Sequence, residues 1–384
     1  MDLSLLPDGG MRWLDASGPK STIVLSTRIR LARNVRGVPF SQRAKDTDRT
    51  TVLERVSEAA ASSDRLAAAV AFHLDKMDRP ERQLLHERHL VSKELAGLDR
   101  EARPRPGAAL LVQDQVGVMV NEEDHLRLHG MWSGFDLEDA YAAVEAVDAD
   151  LGRLVPFAFH PEFGYLTSCP TNAGTGLRAS VLIHLPGLVL TKEINKVLQG
   201  LSQVGLTFRG LYGEGSEVVG NFFQLSNQTT LGKTEDELID HLGKIVRQVI
   251  EYEEQARDVL LRTAPEEVED KTWRAYGLLK HARQVSFEET MNLLSGVRLG
   301  VGLNLLPGPG VYTLNKLLIY TQPAHLAAIH CREVRRLGVY TLNKLLIYTQ
   351  PAHLAAMDGR STGDRELPTV RAAFVRRLLE AEPS

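Results

Sequence analysis

The chain has 384 residues, 43% of them hydrophobic and 24% charged, with a formal net charge of −4. This is the composition of an ordinary globular protein long enough for two domains, and its slightly acidic balance argues against direct nucleic-acid binding, for which a basic domain is expected. The two cysteines, Cys169 and Cys331, are too few for a disulfide framework or a structural zinc site. No apolar run is long enough to span a membrane and no signal-peptide pattern opens the chain, so a cytoplasmic protein is expected.

In chain order, a partly polar lead-in occupies 1–21. Short β-type runs follow at 22–27, 108–113, 116–121, 164–168, 179–185, 206–211 and 221–226. Helical periodicity marks 49–70, 78–90, 136–150, 191–203 and 234–262, with Asp78 as an N-cap and Pro80 in the first turn of the second. Strands that follow one another with no helix between them, as at 108–113 and 116–121, predict an antiparallel sheet flanked by helices, an α+β fold, over a catalytic domain at 22–262. A charged, Pro-containing break at 262–270 opens a helical C-terminal domain, placed at 263–384.

That helical part holds "GVYTLNKLLIYTQPAHLAA" at 310–328 and again, letter for letter, at 338–356. Solenoid repeats diverge and number three or more, so a single perfect copy reads as a recent tandem duplication or an assembly error in the sequence. Two copies of one apolar helix cannot fill the same place, and one is expected to be displaced.

The chemistry-bearing residues gather in four stretches. "IVLSTRIRLARNVRG", from Ile23, puts Arg28 and Arg30 two apart on a strand, hence on one face. Taken alone they are phosphate grips, nucleic-acid contacts or a solvated face. "NEEDHLR" (121–127) holds Glu122, Glu123, Asp124 and Arg127, and its bland reading is a solvated acidic turn. "SCPTNAGTGLRAS" (168–180) holds Cys169, ordinarily a small buried side chain, with Arg178 after a Gly-rich turn. "FRGLYGEGSEVVGN" (208–221) holds Arg209, Glu214 and Glu217 among four glycines, ordinarily a mobile loop.

Familiar nucleotide motifs are absent. "LGKT" at 231–234 ends like a Walker A loop, but Asn227 stands where its first glycine belongs; "GEGSEV" has Val218 in place of the third glycine of a dinucleotide fingerprint. The spacing of "HERH" at 86–89 is wrong for a zinc protease, and there is no nucleophile elbow.

In their order and wording, "LSTRIRLAR", "NEEDHLR", "CPTNAGTGLRAS" and "RGLYGEGSE" resemble the ATP:guanido phosphotransferases, the phosphagen kinase superfamily, and most nearly its bacterial protein-arginine kinase branch. The likeness runs from about residue 20 to about 330 and includes "YGLLKHARQVSFEETMNLLSGVRLGVGL" at 276–303. The resemblance implies a transfer of the ATP γ-phosphoryl group to arginine side chains of proteins. It implies that Arg28, Arg30, Arg127, Arg178 and Arg209 cage the ATP phosphates, that Glu123 and Glu214 are the catalytic carboxylates, and that Cys169 sits against the acceptor guanidinium. Mg²⁺ would ride in on the nucleotide, with no metal site of the protein's own. The residue types fit that chemistry, because phosphoryl transfer is mostly positioning and electrostatics, and guanidinium forks grip phosphate oxygens two at a time. An acceptor guanidinium is a poor nucleophile while cationic, so paired carboxylates orient it and take its proton.

Two departures from the small-molecule kinases favour the protein-kinase branch. Only about 25 residues precede "STRIR", where those kinases carry a helical domain, and Leu182 stands where they have His. The branch further implies protein substrates with exposed arginine, including a heat-shock repressor, a zinc-binding activator protein, delivery of marked proteins to a Clp ATPase and protease, and a homodimer formed through the helical domain. It also implies a C-terminal phosphoarginine-binding motif, of which this chain keeps Arg371-Ala372 but has Leu367-Pro368 in place of Arg-Asp. A small-molecule guanidino kinase and a non-catalytic phosphoarginine-binding adaptor are the alternative readings.

Overall fold

The computed structural model describes residues 10–98, 103–210, 218–328 and 367–380. Its first long element, β1 (Val24–Arg33), carries the arginine-bearing stretch and continues past the predicted end at 27. Helix α1 (Asp46–Ala61) stops well short of the expected residue 70. Ser62 turns its hydroxyl back onto the Glu58 carbonyl at 3.0 Å, and the Ser63 hydroxyl accepts from the Arg65 N–H at 3.1 Å. Such local bonds compete with helix, and the released chain becomes an unpredicted strand, β2 (Val70–His73). The next helix, α2 (Arg79–Glu87), starts where the sequence places it: Asp78 accepts the Glu81 N–H at 2.8 Å, and Glu81 returns the bond to the Asp78 N–H.

The hairpin of β3 (Ala109–Gln113) and β4 (Val116–Val120) follows as expected, and then β5 (Leu126–Ser133), which the sequence reading lacks. Gly130 interrupts its apolar alternation and hides it. In the structure neighbouring side chains fill the gap: a Cβ at 130 would stand 2.4 Å from the ring of Trp132 on the same strand and 2.9 Å from Val144 of α3 (Leu137–Leu154). The predicted strand at 164–168 is only β7 (Gly164–Tyr165), paired with β6 (Phe159–His160) in a small separate ribbon. After β8 (Leu177–His184) comes a short helix the sequence does not announce, α4 (Pro186–Leu190); the helix expected at 191–203 is α5 (Ile194–Gln203), which starts after Lys192 takes φ 63°. Strands β9 (Leu206–Arg209) and β10 (Phe222–Asn227) complete the sheet, and α6 (Glu235–Thr263) follows.

The eight strands lie in the order β2-β3-β4-β5-β1-β8-β10-β9. Every neighbouring pair is antiparallel, the α+β architecture the sequence predicts. Alternation then divides the two faces. One face gives Ile29, Leu31, Val118, Leu126, Leu128, Leu177, Ala179, Val181 and Leu225 to the main core, which α1, α3 and α6 complete. On the other face, Leu110, Val112 and Met119 of the β2 end pack under Leu85, Leu90 and Leu95 as a second apolar cluster. The central strands present arginine there instead.

Internal packing divides the chain into two units, Met1–Val259 and Leu260–Ser384. The described part of the second is helical: α7 (Pro265–His281), α8 (Phe287–Gly302), α9 (Val311–Tyr320) and α10 (Leu367–Glu380). The first copy of the duplicated segment contains α9, which buries Leu314, Leu317 and Leu318 and offers Asn315 to the guanidinium of buried Arg298 at 2.5 Å. The second copy, 338–356, lies outside the described residues. No helix among the described residues is long and apolar enough to cross a membrane.

The turn before β8 depends on one backbone conformation. Gly176 has φ +64°, and a Cβ on it would lie 2.6 Å from the Ala32 carbonyl oxygen and 2.8 Å from Nη1 of Arg33. Gly176→Ala is therefore expected to destabilise the protein by about 2 kcal/mol or more. Urea denaturation reads this as a lower midpoint with an unchanged slope; an unchanged midpoint would refute the account of this turn.

Candidate active site

The arginine-bearing face opens onto a cavity of about 810 Å³, a volume suited to a nucleotide-sized ligand. Strand β1 places Arg28 and Arg30 in its wall, β5 places Arg127, β8 places Arg178 and β9 places Arg209. Glu123, from the β4–β5 turn, and Cys169, from the segment before β8, line the same cavity. Seven of the nine residues singled out from the sequence thus converge on one space. Glu214 lies outside the described residues. Arg371 lies in the helical unit, buried, its Nε donating to the Thr321 carbonyl at 2.8 Å and its Nη1 to that of Val285 at 3.0 Å. These bonds tie Arg371 to two other segments of the helical unit.

The register sets the arginines side by side. Arg30 faces Arg178 directly across one strand pair and His129 across the other, and Arg28 faces Ser180. Like charges directly opposite in a sheet repel, and few protein groups here offset that repulsion. Arg28 donates to the His89 carbonyl at 3.3 Å, where His89 takes φ 60°, and Arg178 donates to the Ser226 hydroxyl at 3.4 Å. The Nε atoms of Arg28 and Arg30 are buried with no hydrogen-bond partner among the described residues. Burial, with Arg127 and Arg178 nearby, lowers the Arg28 pKa to about 10. Burial and the same cluster lower that of Arg30 more strongly. Arg28 remains cationic at neutral pH, and burial and mutual repulsion make positive charge on the pair costly to hold, a cost that a polyanion would relieve.

Arg127 is in the opposite condition. Burial works against its charge, yet Glu122, Glu123 and Asp124 together outweigh burial and hold its proton more tightly than in free arginine. It donates to Glu122 at 2.6 Å and to Glu123 at 3.0 Å. Glu122 is buried and also accepts the Glu123 N–H at 2.8 Å. Glu123 is half exposed to the cavity, and its pKa is raised: burial dominates, Arg127 opposes it, and Asp124 and Glu122 add like-charge repulsion.

Asp124 has no exposed surface at all. Its Oδ1 accepts from Asn34 Nδ2 at 2.7 Å and from the Ser168 N–H at 2.6 Å, so one carboxylate ties the Glu123 turn to the segment that carries Cys169. Cys169 Sγ lies 3.0 Å from the Thr171 hydroxyl. Next to Asn34, Arg33 is bound to Asp148 at 2.8 Å and lies under the Tyr165 ring at 3.5 Å, which makes it part of the frame rather than of the site. The sequence reading notes Glu122 and Asp124 in the acidic run but gives them no role, and it does not point to Asn34 or the cavity-lining His89 at all. An acidic run reads as a solvated turn; only its partners, far off in sequence, reveal buried carboxylates.

Comparison with known proteins fits this geometry. Residues 51–256 match the family model described as the ATP:guanido phosphotransferase C-terminal catalytic domain, and residues 265–337 match the one described as the protein-arginine kinase McsB C-terminal domain. The chain is 44% identical to a protein-arginine kinase of Desulforamulus reducens over 83% of this chain and 89% of that protein. It is 41% identical to one of Bacillus subtilis over 84% and 88%. Among solved structures it resembles a duplicated taurocyamine kinase from Schistosoma mansoni with bound transition-state-analogue components, at 29% identity and TM-score 0.56. That match covers 66% of this chain and 35% of the duplicated one. A lombricine kinase matches at 25% identity and TM-score 0.53 over 66% and 70%. The chain belongs to the ATP:guanido phosphotransferase family, in its protein-arginine kinase branch.

The charge balance of the cavity makes a specific demand. Arg30→Met removes a buried like charge and keeps the apolar stem, so the ligand-free protein is expected to melt about 2–4 °C higher, the equivalent of roughly 1 kcal/mol. Its stabilisation by ATP should shrink at the same time. A lower melting temperature without ligand would contradict the claim that the arginines are held against repulsion.

Proposed function

We propose that the cavity transfers the γ-phosphoryl group of ATP to the guanidinium of arginine side chains in proteins. The observation that carries the reading is that the five arginines expected from the sequence, with Glu123 and Cys169, converge on one cavity, and that the Nε atoms of Arg28 and Arg30 are buried and unpartnered among the described residues. That donor set suits phosphate oxygens. Arg28, Arg30, Arg127, Arg178 and Arg209 would grip the triphosphate and stabilise the charge that spreads over the transferring group. The cationic set favours oxygen anions over a bare metal, and Mg²⁺ carried in by the phosphates supplies further positive charge there.

On the acceptor side, Glu123 is anchored at one oxygen by Arg127 and open to the cavity. It would orient the acceptor guanidinium and take its proton as the N–P bond forms and the bond from the γ-phosphorus to the β,γ-bridging oxygen breaks, releasing ADP. Its raised pKa places it nearer to a working base than an ordinary glutamate. Glu214 is proposed as the second carboxylate, on the motif it shares with the family. Cys169, held beside Thr171, would meet the guanidinium from a third side. By the same family resemblance, the proposal extends to a cytoplasmic setting, a heat-shock repressor among the substrates, a zinc-binding activator, delivery of marked proteins to a Clp protease and self-association through the helical unit.

Incubation with Mg-ATP and an arginine-rich acceptor protein, followed by mass spectrometry, is expected to find phosphoarginine. Glu123→Gln and Glu214→Ala should each reduce the rate on the order of a hundredfold or more. The acid limb of the pH–rate profile should lie above the ordinary glutamate range, because the basic form of Glu123 fills only above its raised pKa. Free arginine turning over faster than protein would move the reading to a small-molecule kinase. Wild-type activity no greater than that of the variants would end it.

A further inference from the structure

One residue on the arginine-bearing face has no part in the scheme above. His129, on β5, points to the same side of the sheet as Arg127 and stands directly opposite Arg30 on one flank and Gly117 of β4 on the other. It is only 3% exposed, and neither ring nitrogen has a hydrogen-bond partner among the described residues. The Nε2 end of the ring sits over the bare backbone of β4: a Cβ at Gly117 would come within 2.3 Å of Nε2. Beside it is a small cavity of about 20 Å³, room for one water molecule, also lined by Trp13, His89 and Met131. A buried imidazole with both nitrogens idle is an unusual thing to keep next to a cluster of cations.

We infer that His129 is the proton-linked member of the nucleotide site: uncharged while the cavity is empty, it takes up a proton from solvent when a polyphosphate occupies the arginines. This rests on the nucleotide reading of the cavity. The groups that face the ring decide its state. Arg28 and Arg30 from β1 and Arg127 on its own strand are cationic and oppose a further positive charge. Arg12 of the lead-in, Asp114 of the β3–β4 turn and His89 line the small cavity. The buried Glu122 carboxylate is committed to Arg127. Burial first, and these arginines second, hold the ring neutral well below the ordinary histidine range. A bound triphosphate brings several negative charges to those same arginines and reverses the field at the ring, while the adjacent cavity gives the imidazolium a place for a hydrogen-bonding water. The step is a protonation alone: an N–H bond forms at a ring nitrogen as hydronium or a buffer acid gives up its proton, and no other bond changes. Nucleotide affinity should therefore strengthen as pH falls toward about 6, against the trend set by protonation of the nucleotide itself.

Calorimetric titration of the full chain with the β,γ-imido analogue of ATP and Mg²⁺ tests this in buffers of different ionisation enthalpy near pH 6 and pH 8. The dependence of heat on buffer gives the protons taken up. Wild type minus His129→Gln at each pH cancels the nucleotide's own protonation. Near pH 6 the difference should be a substantial fraction of one proton, and near pH 8 it should vanish. Equal proton counts in the two proteins would overturn the inference while leaving the nucleotide reading standing, and no binding heat in wild type would strike at that reading instead. Should the variant fail to fold, ¹³C-labelled histidine in the wild-type protein gives the same answer by NMR. The His129 ring should titrate at higher pH with the analogue bound than without it, and an unmoved titration would again overturn the inference.

Discussion

The site depends on holding like charges together. Arg28, Arg30 and Arg178 occupy neighbouring positions on one sheet face, with Arg30 and Arg178 directly opposed, and burial and mutual repulsion make the charge on Arg28 and Arg30 harder to keep. A loop could not sustain this; it would splay. An antiparallel sheet can, because its opposite face packs Ile29, Leu31, Ala179 and Val181 into the main core, and moving one arginine means moving a core side chain on the same strand. The apolar face thus supplies the rigidity that the charged face uses, and a phosphate ligand meets donors already aimed, which is the condition for electrostatic catalysis.

The same logic separates two kinds of arginine. Arg127 has its own carboxylates and is content with its charge; it anchors Glu123 and so joins the nucleotide side of the cavity to the acceptor side. Arg28 and Arg30 have none within hydrogen-bond reach among the described residues, and their unpartnered Nε atoms mark where an anion fits. Asp124 does for the acceptor side what the core does for the sheet: fully buried, it fixes the Glu123 turn and the Cys169 segment to one another and to Asn34 at the end of β1. A shift of an ångström between base and acceptor is costly in rate, so a positioning carboxylate beneath the site serves catalysis without touching substrate.

Much of this is legible in the sequence, and the exceptions have physical reasons. Arg28 and Arg30 declare themselves by alternation, which is local. Strand β5 does not, because Gly130 breaks the pattern and its place in the core is taken by Trp132 from the same strand and Val144 from a helix. Strand β2 is hidden inside a run of helical composition that Ser62 and Ser63 in fact end. Asp124 looks solvated in "NEED" because its partners stand 90 and 44 positions away. Arg371, which the C-terminal motif suggests as a phosphoarginine ligand, donates to the carbonyls of Thr321 and Val285, contacts no local pattern announces. Convergence of distant residues is what periodicity cannot report; here motif resemblance supplies the set and the sheet supplies the arrangement.

The central claim, that a preformed cluster of repelling arginines is completed by polyphosphate, is tested most directly by comparing inorganic triphosphate with adenosine in thermal denaturation of the full chain at constant ionic strength. The account predicts that triphosphate raises the melting temperature strongly, approaching the roughly 2.7 kcal/mol expected at a hundredfold excess over its dissociation constant, and that adenosine alone does little. Stabilisation by adenosine with none from triphosphate would contradict it.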